Sequence, residues 1–350
     1  MFATGTLLNA YDLTPAQWQE QMALWGEPKF RAAQVWQGLY QQLWPSFHEF
    51  SNLSLPLRQK LAGQFQLNNL ATSQVLKSED GETVKTLFTL ADGRAIEAVL
   101  MNYDQRRTLC ISTQAGCAMG CVFCATGQMG FKRHLTSGEI VEQVLYYARQ
   151  LKTQGERVTN IVIMGMGEPF HNYDATLAAI DRLNDPQGMN LGERRFTIST
   201  VGLVPMIRRF AAERRQINLA ISLHAANDEL RASLLPVDRK YPIADLISAC
   251  KDYISTTNRR LTFEWALIHD VNDLPQHAQE LGRLLHGMLC HVNVIPLNPT
   301  RKYAGKATTH QRALAFQAEL EKLSIPCTIR LRRGIDIQAG CGQLAIDSSK

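Results

Sequence analysis

The sequence lacks the features that mark membrane, secreted and disordered chains. No apolar run approaches the roughly 18 residues that a membrane-spanning helix needs. No Lys or Arg precedes Lys29, so the basic start of a signal peptide is also missing. Glycine and proline are few, at 23 and 13 of 350 residues, which excludes collagen-like and low-complexity classes. We therefore expect a globular cytoplasmic protein with no membrane contact, built as one large domain with or without a small appendage.

Cysteine, by contrast, is present in a number that needs an explanation. The chain has eight cysteines, and four of them fall between positions 110 and 124. Disulfide frameworks are typical of short secreted chains. In a large cytosolic protein, cysteines usually pack in the core, bind metal or take part in catalysis. The scattered Cys250, Cys290 and Cys327 are typical of small buried side chains.

The net charge is +5, and the excess of Lys and Arg lies after residue 100. A basic excess of this size permits a polyanionic substrate but does not identify one, because many solvated surfaces have it. Several basic groups are candidates for contacts with phosphate, with a solvated helix face as the alternative for each. They are residues 131–134, Arg208-Arg209, Arg214-Arg215, Arg259-Arg260, Arg301-Lys302 and Arg332-Arg333.

Apolar periodicity divides the chain into three parts. Residues 1–71 carry apolar and aromatic residues at helical spacing, which predicts a small helical domain. Two alternating runs within 72–107, separated by Asp92-Gly93, predict a β-hairpin that links this domain to the next. Residues 108–350 contain seven short apolar runs, with helical stretches between most of them. This pattern predicts an α/β domain with a parallel sheet covered by helices, as a full or partial barrel or a doubly wound sheet.

Polar residues and glycines follow the predicted strands at one end of this sheet. Such segments are Gln114 to Cys117, Gly165 to Pro169, Ser199 to Gly202, Ser222 to His224 and Asn298-Pro299. In parallel α/β folds the functional loops follow the carboxyl ends of the strands. We therefore expect the site at this end.

The segment from Cys117 to Cys124 has the spacing Cys-x3-Cys-x2-Cys. Gly116 and Gly120 favour an irregular loop that can wrap around a compact group. Three thiolates suit a 4Fe-4S cluster, whose fourth iron is then open to another ligand. A structural zinc site is the alternative, because Cys110 can supply a fourth ligand.

This cysteine loop, with Phe123 before its last thiol, resembles the signature of radical S-adenosylmethionine (SAM) enzymes. Further motifs make the resemblance specific to the RlmN/Cfr family of RNA adenosine methyltransferases, over about residues 28–346. They are Gln114 to Cys117, Met164-Gly165-Met166-Gly167-Glu168-Pro169, Ile221-Ser222-Leu223-His224 and the segment Ile335 to Leu344. The resemblance implies a partial (β/α)6 barrel with an N-terminal helical domain that assists RNA binding.

The resemblance also implies the cofactors and their contacts. One 4Fe-4S cluster binds SAM at its open iron, and two SAM molecules are used per turnover. By resemblance, the cluster ligands are Cys117, Cys121 and Cys124, and the SAM contacts are Gly167, Glu168, Ser199, Ser222, Leu223, His224 and Asn298. Each SAM contact taken alone also fits a structural role, as a turn, a strand-end cap or a buried polar group. An electron donor such as flavodoxin or ferredoxin is implied as a partner, and a monomer is expected.

The implied reaction is methylation of carbon-2 of adenine, an electron-poor carbon that cannot displace methyl from a sulfonium. In the family, one SAM methylates a cysteine that matches Cys341. A radical from the second SAM abstracts hydrogen from that S-methyl group, and the resulting carbon radical adds to the base. Cys110 matches the thiol that then attacks the Cys341 sulfur, giving a transient disulfide. Glu97 matches the proton acceptor.

These catalytic residues have structural alternatives as well. Core packing is the alternative for Cys110, and an ordinary exposed strand position is the alternative for Glu97. Gly340 and Gly342 flank Cys341 and suggest a mobile, unhindered thiol, unlike a core cysteine.

The resemblance implies 23S ribosomal RNA and transfer RNA as substrates. Pro169 resembles the carbon-2 branch of the family, because the carbon-8 branch tends to have alanine there. A function of a different class is that of a non-catalytic zinc or cluster protein that only binds RNA. Gly340 departs from the alanine common in the family, and Phe263-Glu264-Trp265 departs from an aliphatic-Glu-Tyr run.

Overall fold

The computed structural model describes residues 7–345, which form fourteen strands and eleven α-helices. The strands are β1 Leu8–Asn9, β2 Phe65–Gln66, β3 Ala71–Lys77, β4 Thr83–Thr89, β5 Ala95–Tyr103, β6 Arg106–Cys110, β7 Gln114–Gly116, β8 Phe131–His134, β9 Asn160–Ile163, β10 Phe196–Thr200, β11 Asn218–Ser222, β12 Leu261–Leu267, β13 Cys290–Pro296 and β14 Cys327–Ile329. The helices are α1 Pro15–Leu24, α2 Phe30–Gln37, α3 Leu55–Gln64, α4 Ala125–Gln128, α5 Ser137–Thr153, α6 Tyr173–Asn184, α7 Val204–Ala212, α8 Asp228–Leu234, α9 Ile243–Thr257, α10 Pro275–Leu284 and α11 His310–Lys322. No helix within 7–345 is long and apolar enough to span a membrane.

The core is a ten-stranded sheet in the order β14-β13-β12-β11-β10-β9-β6-β5-β4-β3. The seven strands from β14 to β6 pair in parallel, and helices between successive strands cover the sheet. No pairing between β14 and β6 closes the sheet within the described residues. The predicted partial barrel is confirmed, and each of the seven apolar runs forms a strand.

The predicted hairpin is present as β4 and β5, which pair from Thr83 opposite Met101 to Thr89 opposite Ala95. It does more than link two parts of the chain, because β5 also pairs with β6 and β3 pairs with β4. Residues 71–103 therefore extend the main sheet by three antiparallel strands. The division into domains at residues 71 and 107 remains a prediction.

The N-terminal helices dock on α5 and α6 through buried polar contacts. The Glu142 carboxylate accepts hydrogen bonds from the backbone N–H groups of Asn69 (2.6 Å) and Leu70 (3.2 Å). Arg149 on the same helix donates to the Tyr11 hydroxyl at 2.6 Å. Helix α5 begins with a capping box in which Thr136 accepts from the Glu139 N–H and Glu139 accepts from the Thr136 N–H. Helix α5 comes after the cysteine loop, α4 and β8, and it leads the chain back to the sheet at β9.

Candidate active site

A cavity with an empty volume of about 1050 Å³ opens at the carboxyl ends of the parallel strands. This is the end at which the sequence predicts the site. Ten of the predicted residues line it: Cys117, Cys121, Cys124, Gly167, Glu168, Ser199, Ser222, His224, Asn298 and Cys341. Leu223 does not, because its side chain is fully buried in the core, while its backbone N–H donates to the Glu264 carbonyl and its carbonyl accepts from Ala225 and Arg231. Cys110 and Glu97 do not line this cavity. Cys110 shares a smaller cavity with Cys341. Glu97 accepts a hydrogen bond from the Ala345 N–H, four residues after Cys341.

The three loop cysteines face one cavity but are not packed around a single ion. Within residues 7–345, no three cysteine sulfurs lie within 4.8 Å of one another. A tetrahedral zinc site with Zn–S distances of about 2.3 Å would bring its sulfurs closer than that. Cys110, the fourth ligand of the zinc alternative, lines a different cavity. The wider spacing of three thiols around open space fits a cluster better than a zinc ion.

Backbone contacts hold the cysteine loop in place. The Cys117 N–H donates to the Gly130 carbonyl at 3.2 Å, and the Val122 N–H donates to the Leu234 carbonyl at 3.1 Å. Gly116 lies at φ +74°, and a Cβ there would sit 1.9 Å from the Gly130 oxygen. Only glycine therefore permits the chain to enter the loop beside β8.

Glu168 is a buried carboxylate with fixed orientation. Its oxygens accept from the Phe170 N–H at 3.0 Å and the Val201 N–H at 2.9 Å. Burial raises the pKa of Glu168 to about 7, and these hydrogen bonds oppose the rise. Gly167, at φ +104°, lies against Gln114, where a Cβ would come within 2.6 Å of the Gln114 Cβ. The pair thus offers a positioned acceptor for an amino group.

His224 is neutral in this site. Its Nδ1 accepts from the Ala266 N–H at 2.9 Å, which places the ring proton on Nε2. Burial, together with the nearby Arg231 guanidinium, lowers the pKa of His224 to about 3. Its backbone lies at φ +59°, and its carbonyl accepts from Asn272 at 2.9 Å. The ring packs edge-to-face on Phe123 of the cysteine loop, with centroids 5.0 Å apart.

Asn298 joins the cavity to the C-terminal segment. Its Nδ2 donates to the Cys341 carbonyl at 3.0 Å, while its buried Oδ1 has no hydrogen-bond partner in the described chain. A buried acceptor without a donor is costly unless a ligand supplies one. Ser199 and Ser222 lie with their hydroxyl oxygens 3.4 Å apart on neighbouring strands. The unpaired oxygen and the hydroxyls fit a ligand that carries both amino and hydroxyl groups, as SAM does.

Residues 338–345, here called the catalytic segment, are held against the helix that follows the cysteine loop. The Ala125 N–H donates to the Gly342 carbonyl at 2.8 Å, and the Thr126 hydroxyl donates to the Leu344 carbonyl at 2.5 Å. Cys341 is exposed as a residue, but its side chain lines both the main cavity and a smaller one. These contacts place its thiol in the cavity that the three loop cysteines line.

The smaller cavity brings Cys110 and Cys341 together. It has an empty volume of about 360 Å³ and is lined by both cysteines and by Arg330. Burial, together with the neighbouring Cys341, raises the pKa of Cys110 to about 12. Burial also raises the pKa of Cys341, to about 11. The Arg330 guanidinium opposes both shifts, because a nearby cation favours a thiolate.

Glu97 is buried, with 4% of its surface exposed, so the alternative of an exposed strand residue is wrong. Its Oε1 forms an ion pair with the Lys85 Nζ at 2.9 Å, and its Oε2 accepts from the Ala345 N–H at 2.9 Å. The carboxylate therefore touches the end of the catalytic segment. On β5 it shares a face with Val99 and Met101, which line the two-cysteine cavity.

Three supporting residues escaped the sequence analysis. Gln114 bonds the Glu168 N–H and two histidine rings, although only its motif was noticed. Arg330 follows β14 as one of several nearby arginines, with nothing local to distinguish it. Arg231 is fully buried, pairs with Asp238 at 2.7 Å and donates to the Val201 carbonyl at 2.7 Å. The sequence does set Arg231 apart, because it is the only charged residue in the mostly apolar segment 230–235.

Known proteins resemble this chain over nearly its whole length. Two family models match: the radical SAM superfamily over residues 111–281 and the ribosomal RNA large subunit methyltransferase N-terminal domain over residues 8–67. The dual-specificity RNA methyltransferase RlmN 1 of Myxococcus xanthus is 50% identical over 97% of this chain and 95% of its own length. The probable dual-specificity RNA methyltransferase RlmN of Chloroflexus aurantiacus is 49% identical over 96% of this chain and 92% of its own. A solved radical SAM methyltransferase from Sphaerobacter thermophilus is 50% identical, with a TM-score of 0.94 over 96% of this chain and 99% of that one.

Proposed function

Because the chain belongs to the RlmN family of radical SAM RNA methyltransferases, we propose that it methylates carbon-2 of a specific adenosine through an S-methylated Cys341 and a transient protein–RNA adduct. The observation that carries this proposal is the shared cavity of Cys110 and Cys341, which adjoins the larger cavity of the three loop cysteines. A protein that only binds RNA has no need of two further thiols there. The proposed substrates are 23S ribosomal RNA and transfer RNA, in line with the dual specificity named for the relatives.

The cofactors of this proposal are one 4Fe-4S cluster on Cys117, Cys121 and Cys124 and two SAM molecules per turnover. When bound, they supply a methyl group and a radical that abstracts hydrogen. Glu168 offers an acceptor and Asn298 an unpaired oxygen toward SAM. Neutral His224 offers no charge that would repel a sulfonium. A flavodoxin or ferredoxin is the proposed electron donor.

Cys341 and Cys110 have different roles in the remaining steps. Cys341 carries the methyl group as a thioether and becomes linked to adenine through that carbon. To restore the aromatic ring, the adduct would lose one proton to a base and return one electron to the cluster, which would be in its oxidised form after cleavage of SAM. The Cys110 thiolate then attacks the Cys341 sulfur, so that an S–S bond forms and the S–C bond breaks. The departing methylene keeps that bonding pair and takes a proton, which leaves a methyl group on the base. A reductant must open the disulfide before the next turnover.

Glu97 is the proposed acceptor of the proton that the ring loses. Its pairing with Lys85 favours the ionised carboxylate, which is the form that takes up a proton. Its bond to Ala345 fixes it relative to the catalytic segment. A carboxylate at this position can serve as a general base once the base is bound.

Replacing Glu97 by Gln should cause protein–RNA adduct to accumulate and reduce product formation about 100-fold, within the usual range for loss of a general base. Methylation of Cys341 should continue, because that step does not use Glu97. The adduct is measured by denaturing gel and the methyl group by mass spectrometry.

A loss of stability alone could mimic this result, because removing one partner of a buried ion pair costs about 3–5 kcal/mol. The double variant Lys85→Gln/Glu97→Gln removes both charges and should recover much of that stability. It should still accumulate adduct. Normal turnover by this double variant would show that Glu97 is structural.

The test of the proposed function is nucleoside analysis of RNA after anaerobic reaction with SAM and a reductant. The expected product is 2-methyladenosine. Formation of 8-methyladenosine would assign the protein to the carbon-8 reaction, and formation of neither would refute both. Purified protein should contain about four iron atoms per chain with a visible absorption band. A methyl group on Cys341 would exclude a protein that only binds RNA.

A further inference from the structure

We propose that a second, basic cavity binds the nucleotide that neighbours the target adenosine in the substrate RNA, an inference that rests on the proposed function. The cavity has an empty volume of about 1060 Å³, part of it open to solvent. Its walls come from three places: helix α4, the loop at 299–302 and the catalytic segment. Hereafter it is called the flanking cavity.

The charge of the flanking cavity favours an anion. Arg301 and Lys302 line it and are both exposed, and none of its lining residues is Asp or Glu. Phosphodiester oxygens accept hydrogen bonds from such side chains, and each phosphate contact adds sequence-independent affinity. A nucleotide with its phosphate toward Arg301 and Lys302 makes contacts of this kind.

The polar lining also suits a base. Gln128 lines the cavity, and its amide donates to the Val122 carbonyl at 2.6 Å and to the Thr300 hydroxyl at 3.3 Å. The amide of exposed Gln338 and the thioether of Met129 line the same space. Amide edges and apolar surface together can hold an unstacked base, as in recognition of single-stranded RNA.

Position ties the flanking cavity to the chemistry. Gln343 lines it and donates to the Pro299 carbonyl at 3.0 Å, which joins the loop to the catalytic segment. Asn298, directly before this loop, holds the Cys341 carbonyl. Adjacent nucleotides are covalently joined, so a base that reaches Cys341 brings its neighbour to the other side of the same segment.

The other basic groups are less suited to this task. Two further cavities with basic lining adjoin Thr159 and Thr197, at the amino ends of strands. These lie away from the end that carries Cys341.

The test compares the wild-type holoprotein with the double variant Arg301→Ala/Lys302→Ala, using an RNA stem-loop that contains the target adenosine. Fluorescence anisotropy gives Kd at several salt concentrations. We expect Kd to rise about tenfold, and the slope of log K against log salt to flatten by about 1.4, for two contacts to single-stranded RNA. Methylation of Cys341 in the absence of RNA should be unchanged, which also shows that the variant folds and loads its cofactors.

The matched control is Lys251→Ala, which removes an exposed cation on α9 and should leave Kd and slope unchanged. The single variant Lys302→Gln should give about half of the slope change. A double variant with wild-type Kd and slope would overturn the inference, as would a defect seen only with a protein electron donor and not with a chemical reductant. If wild-type protein binds the RNA but does not methylate it, the proposed function fails while the Kd comparison still decides the flanking cavity.

Discussion

Replacing Cys341 by alanine should abolish RNA methylation and leave no methyl group on the protein. In the proposed mechanism the transferred carbon reaches RNA only through the Cys341 sulfur, and no other thiol lines both cavities in residues 7–345. The substitution should change the free energy of unfolding by only about 0.5 kcal/mol, since the residue is exposed. Nucleoside analysis and intact-protein mass spectrometry measure both outcomes.

The control for this variant is Cys327→Ala, which removes a half-buried thiol from β14 outside both cavities. It should retain product formation and the methyl group on Cys341. Both variants should keep wild-type iron content and absorption, because neither residue is a cluster ligand in the proposal. Product formed at the wild-type rate by Cys341→Ala would rule out the S-methylcysteine route.

Replacing Cys110 by alanine should trap the protein covalently joined to RNA. The Cys341 sulfur can still be methylated and can still add to the base, but the thiol that breaks the S–C bond is gone. A single turnover should therefore convert most active protein into an RNA adduct, with little free methylated RNA. A denaturing gel with labelled RNA detects the adduct, and nuclease digestion followed by mass spectrometry locates it on Cys341.

The adduct must depend on both cysteines if this order of events is right. The double variant Cys110→Ala/Cys341→Ala should form no adduct and no product. The cost of Cys110→Ala to stability should be about 1 kcal/mol, because the side chain is only half-buried by area and small. Multiple turnovers by Cys110→Ala without adduct would assign disulfide formation to another thiol or remove it from the mechanism.

Local pattern was enough to predict the sheet and the cysteine loop. The seven apolar runs are strands because a parallel sheet buried on both faces needs continuous β-branched or apolar segments. The spacing of Cys117, Cys121 and Cys124 is local as well, so an iron–sulfur cluster can be predicted from it without knowledge of the fold. Helix α8, by contrast, has only seven residues, which are too few to show a clear helical period in the sequence.

Long-range pairing could not be predicted from pattern. Cys110 and Cys341 are 231 positions apart and share a cavity because β5, β6 and β9 are neighbours in the sheet and residues of the catalytic segment line the same space. The burial of Glu97 depends on Lys85 and on Ala345, neither of which is near enough in sequence to read as its partner. Resemblance to a family supplied these residues, and the tertiary contacts give the physical reason for their proximity.

The contacts between α4 and the catalytic segment also bear on when the protein becomes competent. Ala125 and Thr126 bind carbonyls of Gly342 and Leu344, which lie more than 210 residues later and only a few residues from the end of the sequence. Chains are synthesised from the N-terminus, and earlier parts begin to fold first. The cysteine loop and the earlier strands of the sheet can thus begin to form on a nascent chain before Cys341 is synthesised. Under the proposed mechanism, the segment that carries Cys341 must be synthesised and docked on α4 before any radical can meet its cysteine.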